Sequence, residues 1–180
     1  MIQDALDVGI VIERRDEDNR WIDHSWHVVD AIAGAPAVDD WLQLDHGKDW
    51  VRYHAATLPL EIFQGETEGY KVNLSLDPPV IFVVLDTDGD DDDEAGRPIA
   101  VSHATVCPYE AQDYLDASEN VVETVAMPAA VAAWLAAFVE AHHVDKPFKK
   151  RKREPHPGKR DPSNELILPP KRRAGDRRGR

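Results

Sequence analysis

The chain has 180 residues, 42% of them hydrophobic, and a formal net charge of −13. That length suits one domain with an appendage, and that apolar content supports a packed core rather than a disordered chain. No apolar run approaches the ~20 residues that a membrane-crossing helix needs. The start, MIQDALDVGIVIERR, has no basic region ahead of an apolar segment, so no signal peptide is expected. Cys107 is the only cysteine, which excludes an internal disulfide and makes the reducing cytoplasm the expected compartment.

From Val8 to Cys107 the pattern is mostly of period two. "VGIVIERR" predicts a first strand, broken by "DEDN". In "WIDHSWHVVDAI" alternation puts Ile22, Trp26, Val28 and Ile32 on one face, with His24 among them. "AGAPAVDD" is a turn-rich break. "WVRYHAA" and "LPLEIF" follow, with Pro59 marking an edge or a kink. "GYKVNLSL" alternates Tyr70, Val72, Leu74 and Leu76 against Lys71, Asn73 and Ser75, and is expected to be the second arm of a hairpin over 53–75. "VIFVVL" is unbroken, as in a central strand, and "PIAVSHATVC" is the last clear strand of this series.

The pattern then changes. "PYEAQDYLD" predicts a short helix with proline in its first turn, and "ENVVETVAM" one more strand. "PAAVAAWLAAFVEAHH" is alanine-rich and free of glycine, with Val131, Trp134, Leu135 and Phe138 at helical spacing. The expected fold is mainly β (α+β): an antiparallel barrel or sandwich of about seven strands, with a short helix and a C-terminal capping helix anchored by Trp134.

The charge is unevenly placed. Residues 145–180 hold 14 Lys/Arg against 5 Asp/Glu, a net +9, whereas residues 1–144 hold 7 against 29, a net −22. Two domains follow: 1–144, a β-rich globular body, and 145–180, a basic tail too poor in apolar residues to offset its chain entropy and expected to be disordered. Its cluster Lys149, Lys150, Arg151, Lys152 and Arg153 can neutralise phosphates or dock on an acidic surface. Phe148 is the lone aromatic nearby, so stacking on single-stranded bases is not expected.

The acidic run from Asp86 to Glu94 lacks the glycine and the closing glutamate of a calcium loop, with Asp91 and Arg97 in those places. The histidines show no zinc spacing, and no glycine pattern suits a nucleotide phosphate. No metal site, cofactor or catalytic residue is assigned. Cys107, at a strand end beside Pro108, is expected to be a small buried hydrophobe. In the 53–75 stretch, His54, Glu61, Glu66, Glu68 and Tyr70 are the candidate partner-binding residues, with Glu61 expected to face Glu68 or Lys71 across the hairpin.

The blocks "VGIVIERR", "RYHAATLPLEIFQGETEGYKVNLS", "PYEAQDYLD" and "AHHVDKPFKKRKRE", with the tryptophans of the second strand, carry a resemblance over about residues 7–154. They resemble the small uncharacterised proteobacterial family encoded beside formate dehydrogenase genes, some members of which bear the label molybdopterin-guanine dinucleotide biosynthesis protein A. That label implies a glycine-rich nucleotide loop at the first strand; here the strand runs into "ERRDEDNR". The resemblance implies a role near a molybdenum-dependent formate dehydrogenase. The expected function is therefore that of a non-catalytic accessory or maturation protein, binding a formate dehydrogenase subunit or its assembly factors, with an anionic cofactor as a further partner for the basic arm. Two alternatives stay open: weak nucleic-acid association through the tail, and an enzyme built around His54, Glu61 and Glu68.

Overall fold

The computed structural model describes residues 3–87, 97–117 and 120–144, which belong to one compact unit, Met1–Asp145. Among them are seven strands: β1 (Gln3–Asn19), β2 (Ile22–Ala33), β3 (Leu42–His46), β4 (Trp50–Phe63), β5 (Val80–Asp86), β6 (Ala100–Thr105) and β7 (Asn120–Ala126). Three helices accompany them: α1 (Thr67–Leu74), α2 (Pro108–Asp116) and α3 (Ala129–His142). The fold is mainly β, with two antiparallel sheets in the orders β2-β1-β4-β3 and β6-β5-β7 and no closed barrel. None of the described helices is long and apolar enough to cross a membrane.

The core lies between the sheets. Val8, Ile10 and Ile12 of β1 and Leu60 and Ile62 of β4 meet Ile81, Val83 and Leu85 of β5, and Val131 and Leu135 of α3 pack on the same cluster. "VIFVVL" is the central strand of its sheet, as its unbroken apolar run implies. "PYEAQDYLD" forms α2 over its whole length, with Pro108 in the first turn, where its missing N–H leaves no broken bond.

Several expectations fail for physical reasons. "DEDN" does not break β1, which runs on to Asn19 in a two-stranded ribbon with β2 whose residues are exposed, so no burial pattern marks it. The register of β2 shifts opposite Val11/Ile12, because Asp30 and Val28 face successive β1 residues and Val29 is the extra one. This bulge reverses the phase: Val28 and Ala31 are buried, whereas Ile22 and Ile32 are exposed. β3 lies between the break "AGAPAVDD" and the strand "WVRYHAA", in a stretch the pattern leaves unassigned. "WVRYHAA" and "LPLEIF" are one strand; Pro59 sits opposite Asp7, beyond the stretch of β4 that β3 covers.

The second arm of the expected hairpin is instead α1. Three of its four buried residues, Thr67, Tyr70 and Asn73, recur every third position, while Val72 and Leu76 are 43% and 46% exposed. The alternation of "GYKVNLSL" is a coincidence, and a buried polar residue sets the true face. Trp134 is not the anchor of α3. It is partly buried at the rim, where its indole N–H donates to Asp4 Oδ2 at 2.9 Å, and Leu135 takes the enclosed position.

Candidate functional site

A single 3-10 turn, Gln64–Glu66, leads from β4 into α1, and β6 leads through Cys107 into α2. Gly69 lets the two helices approach: a Cβ there would stand 3.0 Å from Cys107 Sγ and 3.1 Å from the Tyr109 ring. Between the helices is an open cleft of about 270 Å³. Glu66 and Glu68 line it from one side, Glu110 and Asp113 from the other, with Gly65, Gly69, Cys107 and Tyr109 completing the wall.

Two of the four carboxylates are held in place. The Tyr70 hydroxyl donates to Glu66 Oε2 at 2.9 Å and accepts from the Phe63 amide at 3.0 Å. Thr105 Oγ1 donates to Glu110 Oε2 at 2.5 Å and accepts from the Cys107 amide at 3.0 Å, while His103 Nε2 meets Glu110 Oε1 at 3.1 Å. Glu68 and Glu110 lie in the first turns of α1 and α2, where the helix dipole favours negative charge. Among the described residues, the cleft wall contains no lysine or arginine.

Cys107 is buried, and burial pushes its thiol pKa up, with the charges of Glu66 and Glu110 acting in the same direction. A neutral thiol is a poor nucleophile. Burial likewise raises the Tyr70 phenol. Among the described residues, no group of three or more His, Cys, Asp or Glu could hold a metal ion. The chemistry this arrangement offers is reception of an ammonium or guanidinium group at an acidic wall, with the half-exposed Tyr109 ring beside it.

The sequence-stretch candidates divide. Glu66 and Glu68 line the cleft and Tyr70 lies buried beneath Glu66. Glu61 does not join them: it is exposed on β4 opposite Ala5, facing neither Glu68 nor Lys71. His54 is buried, its Nε2 2.9 Å from Thr57 Oγ1, whose hydroxyl donates to Pro36 O at 2.7 Å. Glu61 lies seven positions along β4 from His54, about 23 Å at ~3.3 Å per residue, so His54, Glu61 and Glu68 form no catalytic cluster. Lys149, Lys150, Arg151, Lys152 and Arg153 lie outside the described residues, as do the rest of the basic tail and the acidic run from Asp88 to Glu94.

The candidates that were missed are Tyr109, Glu110 and Asp113, whereas Cys107 is the small buried residue expected. One signal was present: Glu110 and Asp113 are three apart on a correctly placed helix and so share a face. The other wall is steadied by His143, beyond the end of α3, whose Nδ1 is 3.0 Å from Thr67 Oγ1 and whose Nε2 is 3.0 Å from Lys71 Nζ and 3.6 Å from Glu68 Oε2.

Residues 7–152 match the model of DUF3305, a family of proteins of unknown function, and the chain belongs to that family. No curated protein and no solved structure matches.

Proposed function

We propose that this member of the DUF3305 family is a non-catalytic accessory protein that acts by protein binding, with the cleft between α1 and α2 receiving a basic segment of its partner. One observation carries the reading: four acidic residues line a cleft of about 270 Å³, and among the described residues its wall holds no lysine or arginine. Glu66 is fixed by Tyr70, and Glu110 by Thr105 and His103, so two of the four are set before a partner arrives. Preset groups lose less entropy on binding, which favours recognition over flexible surface pairing. The raised thiol of Cys107 supports binding rather than covalent chemistry.

The partner is a formate dehydrogenase subunit or one of its assembly factors, met in the cytoplasm. The support for this is the resemblance to the family encoded beside formate dehydrogenase genes. In this reading the basic block Lys149–Arg153 engages an acidic surface or an anionic cofactor of the same assembly.

The test is affinity capture of the full-length chain from its native host, with the co-purifying proteins identified by mass spectrometry. Enrichment of a formate dehydrogenase subunit or assembly factor, released by raised salt, is the expected result. Enrichment of nucleic-acid-bound proteins that vanish on nuclease treatment would overturn it.

A further inference from the structure

We propose that the free edge of β3 is a second protein-binding surface, which takes an extended, basic segment of a partner as an added strand. β3 ends its sheet and, in the described structure, packs chiefly on β4. The other sheet edges are engaged. Glu123 of β7 accepts the Val28 amide of β2 at 2.7 Å and meets His27 Nδ1 at 3.2 Å, and β6 packs against β4.

All five residues of β3 are exposed, with Leu42 at 55% and Leu44 at 46%. Edge strands are ordinarily guarded by lysine, proline or a covering element. "LQLDH" contains neither residue, and the nearest lysine, Lys48, lies in the following turn. Among the described residues, the strand is guarded by a register shift between Gln43 and Asp45 against β4.

The charge around the edge selects the occupant. Asp39, Asp45 and Asp49 flank or belong to the strand, against Lys48, while Asp40 is ion-paired with Arg97 Nη1 at 2.7 Å. Asp45 Oδ1 accepts the His46 amide at 2.8 Å, and Asp40 Oδ1 accepts the Trp41 amide at 2.7 Å. The Asp45 carboxylate stands in for the carbonyl of a neighbouring strand. An arriving chain supplies that carbonyl, and its lysine or arginine takes the released carboxylate. The acidic body of a second copy is disfavoured, because residues 1–144 carry a net −22. Main-chain bonds would give the affinity and the leucines a preference for apolar side chains at alternate positions.

The test uses the full-length protein and an eight-residue alternating Lys–Val peptide, the same peptide with alternate amides N-methylated, and a Glu–Val peptide. The Lys–Val peptide is expected to bind and to slow amide exchange at 42–46. N-methylation is expected to weaken it about tenfold or more, since the added strand loses its main-chain bonds, and the Glu–Val peptide is expected not to bind. Leu42→Lys with Leu44→Lys, at exposed positions, should abolish the protection of 42–46, whereas Glu68→Lys with Asp113→Lys in the cleft should leave that protection intact. Equal binding of the N-methylated peptide, protection only around α1 and α2, or protection of 42–46 that grows with protein concentration and no peptide would each overturn the proposal.

Discussion

Asn73 and Val80 exchange two hydrogen bonds as if they were a ladder pair: Asn73 Nδ2 donates to Val80 O at 2.8 Å, and the Val80 amide donates to Asn73 Oδ1 at 2.9 Å. The same Nδ2 donates to Val106 O at 2.7 Å. One buried side chain thus ties α1 to the start of β5 and the end of β6, which sets the position of the cleft wall bearing Glu66 and Glu68. Asn73→Ala leaves two carbonyls and an amide without this partner. It is expected to cost at least ~3 kcal/mol, because buried unsatisfied groups cost about 1–3 kcal/mol each. Chemical denaturation against the wild type measures it; a loss below ~1 kcal/mol would show that α1 is held by other contacts.

Gly9 is required by its neighbours rather than by its backbone. A Cβ there would stand 2.6 Å from His54 Nε2 and 2.7 Å from Ala35 Cβ. Gly9→Ala should destabilise by about 1–3 kcal/mol, the range for overpacking. Adding His54→Ala should recover only part of the loss, since the Ala35 contact persists. Thermal melts of the two variants check both statements, and full recovery would place the whole strain on the imidazole.

On α3 the ranking is clear. Leu135 is fully buried, whereas Trp134 is partly buried and bonded to Asp4 at the rim. Leu135→Ala should cost ~2–5 kcal/mol and Trp134→Phe, which keeps most of the ring and loses one hydrogen bond at a part-exposed site, about 1 kcal/mol or less. The reverse order in denaturant melts would mean that the tryptophan is the anchor after all.

Glu13 is buried on β1 between two cations: Oε1 lies 2.7 Å from Arg15 Nη2, and Oε2 2.8 Å from Arg52 Nε. The hydrogen bond from Arg15, with that from Arg52, holds its carboxyl below the usual range despite opposing desolvation. A carboxyl depressed in the folded state stabilises above its unfolded pKa and loses that contribution as pH falls through the folded value. The stability gap between wild type and Glu13→Gln should therefore be largest near neutrality and shrink on acidification towards about pH 3. A gap that widens with acid would contradict the assignment.

Much of the fold could be read from local pattern. The α2 segment has proline where a helix tolerates it, and β5 has the unbroken apolar run of a central strand. What was hidden depends on distant partners. Asn73 makes α1 a helix by bonding to residues 7 and 33 positions away, and no period reveals that. Val29 flips the face of β2 as the extra residue of a bulge, which a strict alternation cannot anticipate. Of the cleft, Glu66 and Glu68 were named but placed on a turn. Their opposite wall, Glu110 and Asp113, comes from a helix more than 40 residues later, and only the packing of Gly69 on Cys107 and Tyr109 brings the two together.

The central claim is that the cleft between α1 and α2 receives a basic segment of a formate dehydrogenase partner. The direct measurement is parallel capture from the native host with the wild-type chain and with Glu68→Lys/Asp113→Lys, which reverses two exposed charges and spares Glu66 and Glu110 with their internal bonds. The account predicts that a formate dehydrogenase subunit or assembly factor is enriched with the wild type and lost with the variant, while the two proteins melt alike. Equal capture of that partner by both, or a dehydrogenase that loses all activity in cells while the complex still forms, would contradict it.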